Sequence, residues 1–212
     1  MKFAAGASSM GLSRPGGRSA RVRAEVLAAV REELTANGYD GLSIDVVARR
    51  SGIHRATVYR RWKDVGGLLA DSVEEAREDG WQPPDTGSLV RDLVVLNREV
   101  HAAFTVEPSI SAALVAASFR SPPAAAALRA FWADRYAQCL PVVERAVART
   151  EVPIGTDPMR LLVAATAPVY QRLILFRDSP SLDDVDRYAR EAAEAGRAGV
   201  YTDGVTGGST DG

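Results

Sequence analysis

The chain is poor in the residues that usually carry chemistry. Among 212 residues there is one cysteine, Cys139, and two histidines, His54 and His101. A lone cysteine excludes an intrachain disulfide, and with it a secreted disulfide scaffold. Any nucleophile–histidine–carboxylate triad has only those two histidines to draw on. Cys139 sits on an apolar stripe and reads as a buried thiol. One cysteine and two distant histidines have no metal-ligand spacing. No glycine-rich loop ends in Lys-Ser or Lys-Thr, and no dinucleotide fingerprint follows a strand. No catalytic residue, metal ligand or cofactor is therefore expected. A run of about 18 apolar residues, enough to cross a membrane, is missing. Met1 to Gly17 lack the apolar core of a signal peptide, so a cytoplasmic address with no membrane partner is expected. Alternating apolar and polar runs of strand length are missing too.

What is present is an uneven distribution of charge. The formal net charge is only −1. Residues 1–63 nevertheless carry 12 Lys and Arg against 5 Asp and Glu, and residues 64–212 carry 14 against 22. A balance of +7 beside one of −8 points to a basic module for a polyanion and an acidic module for something else. Most of the positive excess lies in sequence that also reads as folded, which favours nucleic acid as the partner.

The apolar spacing is helical throughout, so the fold class is all-α. Residues 1–17, small and rich in Gly and Ser, read as a flexible arm. Val22, Val26, Leu27, Val30 and Leu34 mark a first helix ending at Asn37-Gly38. Ser43 caps a second helix that stops at Ser51-Gly52. A basic segment from His54 to Lys63 follows, with Val58 and Trp62 at i, i+4. Two short helices around a glycine turn make a helix-turn-helix arrangement. Asp64 caps a fourth helix to about Asp79, and Pro83-Pro84 breaks the chain. Two adjacent glycines, Gly66 and Gly67, cost about 1 kcal/mol each relative to alanine and predict a soft start to that helix. Further helices are expected over Leu89–Phe104, Ile110–Phe119 (closed by Pro122-Pro123), Leu128–Val147 with a kink at Pro141, Asp157–Phe176, and Ser181 to about Val200. Residues 201–212 read as a disordered tail. The domains are thus 18–64 and 65–200.

The ordered series Gly38-Tyr39-Asp40-Gly41-Leu42-Ser43-Ile44, Val47-Ala48, Ser51-Gly52-Ile53 and Ala56-Thr57-Val58-Tyr59-Arg60-Arg61-Trp62 resembles the DNA-binding domain of the tetracycline-repressor (TetR) family. Thr156-Asp157-Pro158 and Pro168-Val169-Tyr170-Gln171-Arg172-Leu173 resemble one C-terminal subgroup of it more loosely. The resemblance implies a dimeric, ligand-responsive regulator, most often a repressor, on a double-stranded operator with inverted repeats. The residues fit that role. Arg55 has a planar fork for guanine O6 and N7. Thr57 offers a hydroxyl and a methyl, Tyr59 a hydroxyl, and Arg60 and Lys63 charge for phosphates. Ser43 stands where the family often touches the DNA backbone, and Trp62 belongs to the core. His54 replaces a small or hydroxyl-bearing residue, leaving a capping role and a DNA contact both open. Val65-Gly66-Gly67 stands where the family often has a lysine, so Lys63 replaces that phosphate contact only in part.

In the acidic half, Phe104, Phe119, Trp132, Tyr136 and Tyr170 lie on different helices that face a common interior. The resemblance makes that interior a pocket for a small-molecule effector, with His101 and Gln171 as its polar points. The segment Leu161–Phe176 is apolar nearly all round and needs cover on several sides. The resemblance pairs the last two helices with their symmetry mates, which assigns Leu173, Ile174 and Tyr188 to a homodimer interface. The fourth helix, as the continuous element leaving the DNA-binding module, would carry the signal. A regulator without an effector is the near alternative. An all-α ligand-binding or enzymatic protein with incidental basic helices is the distant one, and retention on duplex DNA separates them.

Overall fold

The computed structural model describes residues 16–77, 80–106 and 109–202. The expected arm thus falls outside the described residues except for Gly16 and Gly17, which open the first helix. Among the described residues the chain forms nine α-helices and a single isolated bridge, Thr156 to Thr202. They are α1 (Gly16–Asn37), α2 (Ile44–Ser51), α3 (Arg55–Trp62), α4 (Val65–Arg77), α5 (Leu89–Thr105), α6 (Ile110–Ser118), α7 (Pro122–Ala148), α8 (Pro158–Tyr170) and α9 (Leu182–Arg197). A π-helical turn, Gln171–Phe176, extends α8.

Local chemistry sets most of the boundaries. Ser43, Ser109, Ser121 and Asp157 each accept a backbone N–H at the start of α2, α6, α7 and α8. Ser181 and Asp184 form a reciprocal capping box on α9. Gly52 closes α2 at φ 68°, a left-handed turn that glycine adopts without a Cβ penalty and that swings the chain into α3. Pro122 and Pro123 do more than close the preceding helix. They occupy the first turn of α7, where the missing N–H would have no partner anyway. α7 runs on through Pro141 to Ala148. The segment expected as one helix to Phe176 changes to π geometry after Tyr170, within a turn of Pro168, which cannot donate to the ladder. Tyr201 and Thr202, assigned to the tail from sequence, belong to the fold. The Tyr201 carbonyl accepts the Asp157 N–H at 2.8 Å, and Tyr201 packs on the second core.

Two apolar cores organise the helices. The first joins Val26, Val30, Val47, Val58, Trp62 and Leu69 of α1–α4 to Ala113, Leu114 and Ala117 of α6 and to Ala124 of α7. The second holds Leu89, Leu93, Val142, Leu161, Leu162 and Ala189, from α5, the far end of α7, α8 and α9. α4, placed from sequence in the second module, therefore shares a core with α1–α3. Buried Asn97 fastens the second core by donating to the carbonyls of Ala165 (2.9 Å) and Val185 (3.1 Å). Residues 158–176 are long and apolar enough to cross a membrane by length and composition. Here that segment packs against α5, α7 and α9 and carries Arg160, Gln171 and Arg172.

The glycine pair at the start of α4 has a packing role that helix propensity does not show. A Cβ on Gly66 would lie 2.0 Å from Ser121 Oγ and 2.5 Å from Ser121 Cβ. One on Gly67 would lie 2.2 Å from the Trp62 carbonyl oxygen. These glycines permit two backbone approaches that no larger residue allows: α4 on the N-terminus of α7, and α4 on the end of α3.

Candidate nucleic-acid interface and internal cavity

α3 stands out from the α1–α4 core as a basic ridge. Val58 and Trp62 anchor it, and Trp62 Nε1 donates to Asp71 Oδ2 of α4 at 2.8 Å. The other oxygen of Asp71 accepts from Arg23 Nε of α1 at 2.9 Å, so one carboxylate orients three helices. Buried Glu33 of α1 does the same for α2, accepting from Arg50 at 2.9 Å. The ridge is thereby rigid at its base.

On its outer side, Arg55 is exposed and ion-paired to Asp45 of α2 at 2.6 Å. Tyr59, Arg60 and Lys63 are exposed, and their side chains have no hydrogen-bond partner among the described residues. Thr57 lines a groove beside α3 with Arg18, Arg60 and Arg61. A second groove holds Asp45, Arg49, His54 and Arg55. His54 Nδ1 accepts the Ala56 N–H at 3.3 Å, so it is the N-cap of α3. The Ser43 hydroxyl accepts from the Val46 N–H, and its own hydrogen remains available to an acceptor. Arg61 is occupied elsewhere, donating to Ser19 Oγ at 2.9 Å and lying 5.0 Å from the Trp62 ring centre. Of the seven residues expected to face DNA, His54, Arg55, Thr57, Tyr59, Arg60 and Lys63 lie on α3 or at its caps, and Ser43 lies at the start of α2. Sequence reading did not single out Arg18 and Arg49, which border the same grooves. For Arg49 a signal was available: it lies in the last turn of α2, shortly before the chain enters α3.

The second feature is a cavity of about 460 Å³ between α5, α7 and α8. Trp132, Tyr136 and Tyr170 line it, with Trp132 and Tyr170 edge to face at 5.0 Å between centres. Tyr136 and Thr166 share a hydrogen bond of 2.7 Å on its wall. Burial raises the pKa of both tyrosines and pushes the Cys139 thiol up to about 11, so all three are neutral at pH 7. Four expected members lie elsewhere. Phe104 packs edge-on behind Tyr170, with ring centres 6.0 Å apart. Phe119 is 81 % exposed, because it caps α6 where the chain turns toward α7. His101 is drawn to the turn before α9, with Nε2 3.1 Å from the Pro180 carbonyl. Gln171 is exposed on the π-helical turn. The polar points of the cavity are instead Glu99, Ser111, Arg135 and Thr166, with Trp81 contributed by the segment before α5. Arg135 was legible, since it shares an i, i+4 row with Phe131 and Cys139 on α7.

Leu173, Ile174 and Tyr188 are half-buried in the single chain. Next to Leu173 and Ile174 in the chain, Leu175 and Phe176 leave 72 % and 64 % of their surface exposed, and Val163 of α8 leaves 41 %.

Comparison with known proteins agrees with this geometry. Residues 26–71 match the family model described as bacterial regulatory proteins, tetR family. Residues 83–192 match that of the tetracyclin repressor-like C-terminal domain. The chain is 36 % identical over 149 residues to the HTH-type transcriptional regulator AqdR of Rhodococcus erythropolis, covering 69 % of this chain and 70 % of that one. It is 25 % identical over 183 residues to the uncharacterized HTH-type transcriptional regulator YdeS of Bacillus subtilis, covering 85 % and 90 %. Among solved structures, the TetR family transcription regulator SCO0332 superposes with a TM-score of 0.66 at 29 % identity, over 82 % of this chain and 97 % of that one.

Proposed function

The chain belongs to the tetracycline-repressor-like family of helix-turn-helix transcriptional regulators, and we propose that it is a cytoplasmic homodimeric repressor released from an inverted-repeat operator by a small, largely apolar molecule. The observation that carries the reading is a shared side chain. Phe131 of α7 lines the cavity and also packs against the core that holds the recognition ridge. A molecule that moves Phe131 loads the same core that positions α3.

On the DNA side, α3 enters the major groove with Arg55 at base edges. Ser43, His54, Thr57, Tyr59, Arg60 and Lys63 hold the flanking phosphates and sugars. Two-fold symmetry of the protein demands two half-sites on one face of the duplex. Exposed Leu175 and Phe176, next in the chain to Leu173 and Ile174, offer apolar surface that a second copy would cover. Selection of binding sites from random duplex tests the reading. An inverted repeat should emerge, and a screen of small molecules should find one that releases it. Enrichment of single half-sites by a monomeric protein would refute it.

A further inference from the structure

The cavity is built for one kind of guest. Trp81, Phe131, Trp132, Tyr136 and Tyr170 supply five aromatic rings to its wall. Flat side chains from α7, α8 and the segment before α5 surround a space that suits a flat ring system. Two charged side chains also reach it, Arg135 and Glu99, and they are not equivalent.

Glu99 is exposed at the rim, and its Oε2 accepts the Trp81 Nε1 hydrogen at 3.1 Å. Its charge is felt at Cys139 less than that of Arg135, and one of its oxygens orients the tryptophan. Arg135 is half-buried, and its guanidinium carbon lies 3.9 Å from the Trp81 ring centre and 5.3 Å from that of Phe131. Contact with ring faces engages the flat of the guanidinium and spends none of its N–H donors. Among the described residues Arg135 has no ion pair and no hydrogen bond. Its charge reaches the interior. Burial is the larger influence on Tyr170 and Cys139 and raises both, and Arg135 pulls both back down. The Tyr170 hydroxyl also has no hydrogen-bond partner among the described residues. Open donors beside an aromatic box call for an acceptor that carries negative charge, and a planar carboxylate matches the guanidinium fork.

We infer that the effector is a flat aromatic acid, with its rings among Phe131, Trp132 and Tyr170 and its carboxylate on the N–H donors of Arg135. The inference rests on the effector reading above and specifies its ligand. An aromatic amine would invert the roles, placing its ammonium at Glu99.

The test uses the full chain and three matched probes: 2-naphthoate, 2-naphthamide and 2-naphthylmethylamine. Binding is measured at pH 7 by calorimetry and by tryptophan quenching. The carboxylate should bind at least tenfold tighter than the amide, with the ammonium weakest. Arg135→Gln should remove the advantage of the carboxylate over the amide, and Arg135→Lys should keep part of it. The three probes on the unaltered chain decide the matter even if Arg135→Gln does not fold. The inference is overturned by an amide that matches the carboxylate, by an ammonium that binds best, or by no binding of any probe. It is equally overturned if Arg135→Gln leaves the preference intact. Operator affinity is measured separately with saturating 2-naphthoate. Binding in the expected order without loss of operator affinity would leave the anion site standing and sink the switch.

Discussion

Replacing Gly67 by alanine separates two opposed physical effects that meet at one backbone position. In an exposed helix interior, glycine to alanine gains about 1 kcal/mol. Here the added carbon would sit 2.2 Å from the Trp62 carbonyl oxygen. A comfortable carbon–oxygen contact is about 3.3 Å, so α4 must retreat from the end of α3 by roughly 1 Å. Overpacking of that kind costs about 1–3 kcal/mol. The net expectation is a loss of up to about 2 kcal/mol, read as a lower urea midpoint at fixed protein concentration. Because the obstruction is backbone, no neighbouring side-chain change relieves it. Gly66→Ala is the internal comparison, since its new carbon meets the Ser121 side chain. Ser121→Gly should rescue Gly66→Ala at a cost of a few tenths of a kcal/mol in the α7 cap, and should not rescue Gly67→Ala. The retreat also re-aims α3, so Gly67→Ala should weaken operator binding beyond what the unfolded fraction explains. A Gly67→Ala chain that is more stable by the full helix-propensity gain would refute the close-approach argument outright.

Four further outcomes follow from the same geometry. Arg55→Ala should cost about 1–3 kcal/mol of operator affinity and relax preference at one base pair, and Lys63→Ala should weaken all sequences alike and flatten the salt slope by about one unit. Asp45→Asn, which frees Arg55 from its 2.6 Å partner, should raise affinity for non-specific duplex in filter-binding assays. Leu173→Glu should yield monomers or insoluble protein in sedimentation runs, and a soluble folded dimer would remove Leu173 from the interface. The Asp186 carboxyl lies below the usual carboxylate range because Arg98 hydrogen-bonds to it. A depressed folded value means stability that is full above about pH 5 and drains as pH falls through the ordinary value near 4 toward the lower folded one. Asp186→Asn should therefore lower the melting temperature at pH 7 and flatten its fall in acid.

The helix-turn-helix was legible because its signals are local. A capping serine, a glycine with left-handed φ and two apolar anchors eight residues or fewer apart dictate α2 and α3 without help from the rest of the chain. The exposure of the residues proposed to face DNA was legible for the same reason, since a short ridge exposes whatever its core does not take. The cavity was legible in only three of its expected seven residues. Trp132, Tyr136 and Tyr170 follow helical spacing, but which aromatic faces a void depends on how α5, α7 and α8 cross. Phe119 and His101 were lost to turns whose geometry no periodicity reports. The packing role of the glycine pair was not legible because propensity is a property of an isolated helix. The value of Gly66 and Gly67 lies in Ser121 and Trp62, one of them 55 residues away and the other across a turn.

That distant contact bears on how the two halves would communicate in the proposed switch. From sequence, α4 is the continuous element between the modules, and chain connectivity alone would route any signal along it. The packing supplies a second and shorter route. Ala113, Leu114 and Ala117 of α6 and Ala124 of α7 are buried in the same core as Val47, Val58 and Trp62, and Phe131 reaches that core from the cavity wall. A close-packed interior transmits displacement because it has no slack to absorb it. A guest that shifts Phe131 or Trp132 therefore acts on α4 sideways, through the Gly66–Ser121 approach, as well as along its axis. Asp71 converts that sideways motion into a change at the ridge, since it holds Trp62 with one oxygen and Arg23 with the other. The coupling must run both ways, because a ligand that favours one arrangement of this core is bound more weakly when the operator holds the other. Asp71→Asn keeps the shape of the joint and weakens its grip. It should reduce the mutual effect of operator and ligand on each other while leaving ligand affinity without DNA close to normal.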